Sequence, residues 1–322
     1  MRLSLVAALL ASVAVSQVAN AADITLAHGE NPGNPRYLAA ERFAELVEQC
    51  TESGITVTVA PSATMGDDVE MLTSTVAGVI NITANSQGAF AQIVPEAGAI
   101  GLPFLFDDVQ TAWEVLDGQA GELLDARAQE NGLKLLAMWD NGIRHISHVS
   151  KAVPTPADLQ GMQIRTPPDE MSIAIFEALG ASPAPLAFSE LPSALQSGVF
   201  DGQENPLTNI YSAGLHNITP YITLTGHQYQ STPVVAGLGW WESLDAASQE
   251  CVQGAAQDAG AYQRDLSFEA NNSLQATMEE EGTTFTEVED RQAFVDATAS
   301  VYDTYAERFP NFVPALLEAA ER

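Results

Sequence analysis

The sequence predicts an α/β fold, with a mainly parallel sheet covered by helices on both faces. Two observations carry this. Apolar runs of strand length alternate along the chain with segments of helical periodicity. No linker, low-complexity tract or internal repeat is visible across the roughly 300 residues that follow the N-terminus, so two lobes, if present, are joined by several crossings rather than one tether. Ile24 to Ala27 reads as a first strand, ending at His28. After the loop Gly29 to Asn34, a helix runs from Pro35 to about Cys50. Proline suits its first turn, and Leu38, Phe43, Leu46 and Val47 fall at helical spacing. Ile55 to Ala60 alternates like a strand and stops at Pro61. Asp67 to Val76 is helical and Val79 to Ala84 is a strand. Helices broken at Gly118 occupy Trp113 to Ala128. Leu133 to Met138 is a strand ending at Trp139, and Ile143 to His148 begins another. Asp245 to about Met278 is a long helical pattern.

The N-terminus has the pattern of a secretory signal. Arg2 is the charged region, Leu3 to Val15 the apolar region and Ala19-Asn20-Ala21 the cleavage site. The apolar run is too short to span a bilayer as a helix. An exported, soluble mature chain starting near Ala22 is the expectation. The formal charge is −30, and removal of residues 1–21 takes away Arg2 and no acid, giving −31. Lysine is confined to Lys134 and Lys151. A surface this acidic excludes nucleic acid and anionic lipid as partners. The two cysteines, Cys50 and Cys251, are expected to pair in an oxidising compartment, with two isolated buried thiols as the alternative. No cysteine or histidine spacing suits a metal, and no cofactor is expected. No nucleophile elbow or phosphate loop occurs.

The richest stretch is Gly161 to Pro206. The apolar run Met162 to Ile164 ends at Arg165, just before the helix-stopping pair Pro167-Pro168. Two helical patterns follow, then the polar turn Asp201-Gly202-Gln203-Glu204-Asn205-Pro206. A guanidinium and a carboxamide thus stand at the ends of strands, where open α/β sheets hold small ligands. Arg165 offers a planar fork for a carboxylate, which lysine does not reproduce. Asn205 both donates and accepts.

The same residues resemble the substrate-binding proteins of tripartite ATP-independent periplasmic (TRAP) transporters. The resemblance runs through Gly161, Ile164, Arg165 and Pro167, then Ala178-Leu179-Gly180-Ala181, Pro183, Pro185, Phe188 and Glu190. It closes with Ala194-Leu195-Gln196, Gly198-Val199 and Asp201 to Pro206. Upstream, Pro61 to Asp68 and Leu102-Pro103-Phe104 continue it. The resemblance implies a two-lobed type II periplasmic binding protein fold with a long helix bridging the lobes. Lobe I would hold residues 22–143 and 232–271, lobe II 144–231 and 272–322. It further implies a periplasmic, non-enzymatic protein that captures a small organic acid for two membrane subunits. Arg165 would be the carboxylate clamp, with Arg144 and Asn205 adding bonds. His28, Glu30, Asn31, Asn85 and Gln87 would form the facing wall, which reads the end of the ligand remote from its carboxylate. Phe188 is an apolar wall or core residue, and His227 a weaker candidate. Asp68 is first a helix-terminal acid, and Trp139 and Trp240-Trp241 are core residues before they are sugar platforms. The segments Trp139 to His145 and Arg165 to Asp169 resemble a sugar-acid branch, with hexuronates such as glucuronate or galacturonate favoured over C4-dicarboxylates and α-keto acids. A periplasmic enzyme acting on acidic sugars and a ligand sensor are the rival functions.

Overall fold

The structure, a computed structural model, describes residues 23–50 and 55–321. The signal-peptide expectation lies outside the described residues. The strands are β1 (Ile24–His28), β2 (Val57–Ala60), β3 (Ile82–Ala84), β4 (Leu133–His148), β5 (Gln163–Thr166), β6 (Ser182–Pro185), β7 (Gly202–Asn205), β8 (Tyr221–Gly237) and β9 (Thr284–Glu287). The helices are α1 (Pro35–Cys50), α2 (Asp68–Val76), α3 (Gln87–Phe90), α4 (Val109–Asp117), α5 (Gln119–Glu130), α6 (Glu170–Ala178), α7 (Leu191–Gln196), α8 (Leu207–Ser212), α9 (Leu238–Ser243), α10 (Ala246–Glu280), α11 (Arg291–Arg308) and α12 (Phe312–Ala319). Most sequence boundaries agree closely. Asp67 caps α2 in a reciprocal box with Glu70, Asp245 caps α10, and Gly118 separates α4 from α5.

Among the described residues nine strands form one sheet in the order β2-β1-β3-β8-β4-β7-β5-β6, with β9 beside β8. Pairing is parallel among β1, β2 and β3 and among β5, β6 and β7, as expected. It is antiparallel where the lobes join, at β3–β8, β4–β8 and β4–β7. That is the main departure from a mainly parallel sheet. Its cause is that β4 and β8 are single strands of 16 and 17 residues running through both lobes. The sequence reading broke β4 at Asp140-Asn141-Gly142. Those residues instead make a β-bulge, where the register slips between Asp140 and Gly142 and Gly142 takes φ 112°.

The first half of α10 packs on α1 and β4, and the second half reaches α8 and β9 in the other lobe. It is fastened to β4 beside the bulge. Gln263 accepts from Asp140 N and donates to Asp140 O, both at 2.8 Å. Trp139 donates its indole N–H to Ala256 O at 2.8 Å and lies against Gly260, where a Cβ would stand 2.7 Å from the ring. Cys50 and Cys251 form a disulfide that ties α1 to the start of α10.

A repeat invisible in the sequence emerges in space. Residues 74–85 and 194–205 each run from a helix end through a left-handed glycine into a strand. Gly78 and Gly198 have φ 75° and 74°. Val79 N donates to Ser74 O, and Val199 N to Ala194 O. Asn81 Oδ1 accepts from Thr25 N and Asp201 Oδ2 from Gln163 N, each at 2.9 Å. The lobes therefore present equivalent strand ends, those of β3 and β7, to the space between them.

Candidate functional site

The C-terminal ends of β1 and β3 and those of β5 and β7 converge on one interlobe cleft. Its floor is β4 and β8, which supply Asn141, Arg144 and Gln230. Glu30, Arg36, Asp68 and Ser86 line the first-lobe side, and Arg165, Phe188, Asn205 and Asn209 the second. Local sequence explains the placements. Pro167-Pro168 stops β5 at Thr166, one residue after Arg165, and Pro206 stops β7 at Asn205, since proline brings no ladder donor.

Arg165 is buried. Its Nε and Nη2 donate to Leu186 O at 2.9 and 2.6 Å, and its Cζ lies 5.9 Å from the centre of the Phe188 ring. Among the described residues no carboxylate stands within ion-pair distance of it. Burial pulls its pKa down to about 10, which leaves it a cation at neutral pH. The other two buried arginines of the cleft each face a carboxylate, although burial pushes the Glu30 carboxyl up against the pull of the Arg36 charge. Arg36 faces Glu30 at 3.5 Å. Arg144 binds Glu204 through Nε and, at 2.8 Å, through Nη2, and also donates to Gln230 Oε1 at 3.0 Å and Asn205 Oδ1 at 3.2 Å. Burial pushes the Glu204 carboxyl up, but the charge and hydrogen bonds of Arg144 outweigh it and hold it below its ordinary value. Of the cleft's three guanidinium groups, Arg165 has no carboxylate within ion-pair distance; amides and the carboxylates of Glu30, Asp67 and Asp68 share the rest of the polar lining.

The sequence candidates divide. Arg165, Arg144, Asn205, Glu30 and Phe188 line the cleft together. His28, Asn31, Asn85, Gln87 and His227 are not among its lining residues. His28 is buried, accepts from Glu30 N at 3.2 Å and packs edge-on to Tyr37. Burial lowers its pKa to about 3, so it is neutral. Asn31 accepts a turn hydrogen bond from Asn34 N through its backbone. Asn85 gives its Nδ2 to Asp68 O at 2.9 Å. Gln87 Oε1 accepts from both Ser231 N and Ser231 Oγ at 3.0 Å. His227 is fully buried between Thr225, Phe176 and Glu204. Asp68, read from sequence as a helix-terminal acid, lines the cleft while accepting from Ser86 N at 2.9 Å; Asp67 is the cap. Trp139 is core, with its ring against α10.

Arg36, Asn141, Asn209 and Gln230 were missed. One signal for them existed in the polar run Gln228-Tyr229-Gln230-Ser231-Thr232, which is buried within β8. Asn209 links the lobes, accepting from Asn34 Nδ2 at 3.0 Å and donating to Asn141 Oδ1 at 3.1 Å.

Residues 26–308 match the pattern of the bacterial extracellular solute-binding protein family 7, DctP. The chain belongs to this family. Within it, the uncharacterized protein y4mM of Sinorhizobium fredii is 46% identical over 87% of this chain and 52% of its own length, so the chain spans about half of that relative. The 2,3-diketo-L-gulonate-binding periplasmic protein YiaO of Escherichia coli K12 is 33% identical, over 85% of this chain and 84% of that protein. A TRAP periplasmic solute-binding protein of Roseobacter denitrificans, solved with bound β-D-glucuronate, is 31% identical with a TM-score of 0.89, covering 93% of this chain and 99% of that one. One from Sulfurospirillum deleyianum, with bound succinate, is 28% identical with a TM-score of 0.86, covering 93% and 98%. DctP proteins are periplasmic binding components of transport and not enzymes, and the two-lobed fold with its bridging α10 is theirs.

The lobes meet along one rim of the cleft. Gln92 Nε2 donates to Pro168 O at 2.9 Å, and a Cβ on Gly88 would stand 2.3 Å from Asp169 Cβ. Gly88→Ala should therefore wedge the rim. An overpacking cost of about 1–3 kcal/mol falls on the closed state and lowers ligand affinity about tenfold. Calorimetric titration of the variant checks this, and wild-type affinity would refute it.

Proposed function

We propose that this protein captures a sugar acid with a single carboxylate, a hexuronate such as glucuronate or galacturonate, and delivers it to TRAP membrane subunits. One observation carries the reading: of three buried guanidinium groups lining the cleft, only Arg165 lacks a carboxylate partner. One free fork accepts one carboxylate. Asn141, Asn205, Asn209 and Gln230 both donate and accept, which suits hydroxyls along the rest of the ligand. Glu30 and Asp68 accept hydrogen bonds from hydroxyls and oppose a second negative charge. The names of the diketogulonate-binding and glucuronate-bound relatives point the same way.

The succinate-bound structure favours a second reading, a C4-dicarboxylate ligand. It would require a second carboxylate to find a cation not already paired.

We place the lobe limits near 143/144 and 231/232, within β4 and β8 and beside the bulge at Asp140 and Gly142. A ligand bridging both walls then gains affinity only in the closed state, which drives closure. The test is a thermal-shift screen of the mature protein against uronates, aldonates, C4-dicarboxylates, keto acids and neutral sugars. Ligand at 100 times its Kd adds about 2.7 kcal/mol of stability. A shift with hexuronates is expected; a shift confined to dicarboxylates would overturn the ligand class.

A further inference from the structure

We propose that Asn34 is a positioning residue for ligand capture: through Asn209 and Ser212 it latches the closed lobes and so tightens the hold on any acid in the cleft without touching it. The latch goes beyond the sugar-acid reading and does not depend on it.

Asn34 stands immediately before α1 and is buried, yet it is not among the residues lining the cleft. It caps the helix start. Its backbone carbonyl accepts from Leu38 N at 3.1 Å, and its Oδ1 accepts from Arg36 N at 2.8 Å. Its Nδ2 serves Glu30 Oε2 at 3.1 Å within the first lobe. The same Nδ2 reaches α8 of the second lobe, donating to Asn209 Oδ1 at 3.0 Å and to Ser212 Oγ at 3.3 Å.

Arg36 fixes which way each amide points, because a guanidinium only donates. Arg36 Nη2 lies 3.2 Å from Asn141, so the atom it meets is Oδ1. The Asn209 atom 3.1 Å from that oxygen is therefore Nδ2, which turns Asn209 Oδ1 toward Asn34. Asn34 answers with Nδ2 and keeps Oδ1 for Arg36 N. The ring begins and ends at Arg36 and takes in the start of α1, the bulge of β4 and α8. Its links from Asn34 to α8 exist only while the lobes are together. On opening, water takes up both partners, so the net worth of the links is modest, but all of it falls on the closed state. A ligand held only by the closed state has an apparent Kd equal to its intrinsic value divided by the closed fraction. Weakening the latch therefore multiplies the Kd of every ligand by one factor. It also speeds release, since the latch must break before a ligand leaves, while entry into the open cleft is unchanged.

The test is Asn34→Ser. Serine keeps a capping oxygen for Arg36 N but is too short to reach α8. The probes are D-glucuronate, D-galactonate and succinate, followed by calorimetry and stopped-flow kinetics. For each probe the wild type binds, Kd should rise about three- to tenfold. The factor should be the same for all of them and should sit in the dissociation rate, with little change in the melting of the ligand-free protein. An unchanged Kd, a loss carried by the association rate, or losses that differ more than threefold between probes would overturn the latch. A second comparison separates the lobes. In an Asn209→Ala/Ser212→Ala background, Asn34→Ser should have no further effect on Kd. An undiminished effect there would assign the contribution of Asn34 to its own lobe, through Glu30, and overturn the inference.

Discussion

Arg165→Ala should severely weaken binding of the organic-acid ligand. The ligand carboxylate would enter a cleft whose other two buried arginines are already paired, and its charge would remain buried without a partner. Truncating one member of such a pair costs about 2–5 kcal/mol, roughly 30-fold to several thousand-fold in Kd. Arg165→Lys should also fail, by about tenfold or more. An ammonium is a point charge that cannot hold Leu186 O through two N–H groups and still present a fork to the ligand. Thermal melting separates lost binding from lost folding. Calorimetry on folded Arg165→Ala that returned a Kd within threefold of wild type would remove the clamp from the mechanism.

Reduction of the disulfide is the largest expected effect on stability. Cys50 and Cys251 are separated by 201 residues, and a cross-link over so long a loop takes about 5 kcal/mol of chain entropy from the unfolded state. The variant Cys50→Ser/Cys251→Ser should melt roughly 5–10 °C lower, as should the wild type in dithiothreitol. The bridge lies where α1 meets the start of α10, within the first lobe, so ligand affinity should change less than about twofold. Equal melting temperatures in oxidised and reduced protein would show that the native contacts of α1 and α10 carry that stability by themselves.

Local chemistry was legible where it is local. Pro35, Asp67, Gly118 and Asp245 mark helix ends by capping or breaking, and each does so in the structure. Arg165 could be found because two prolines fix its position at the end of a strand. Long-range pairing was not legible. Asp140-Asn141-Gly142 has the composition of a turn, and only its pairing with Gln230 and Ser231 turns it into a bulge inside one continuous strand. The charge state of Arg144 was hidden for the same reason, since it depends on Glu204, 60 residues away. His28 and Asn85 stand at strand ends beside the cleft; each spends one side-chain atom on Glu30 N or Asp68 O, while His28 Nε2 and Asn85 Oδ1 are buried without a hydrogen-bond partner. Strand position sets which residues come near a site. It does not set which atoms remain available there.

The two long crossing strands dictate an order of assembly. Before residues 234–236 arrive, β3 has β1 on one side and an open edge on the other, because its second neighbour is the end of β8. The start of β4 waits for the same segment. A nascent first lobe is therefore an incomplete sheet until more than two thirds of the chain has been made, and Cys50 has no partner until residue 251 follows. Pairings this distant in sequence form slowly. The last-made segments supply the missing edge, so the first lobe closes its sheet only when most of the chain is present.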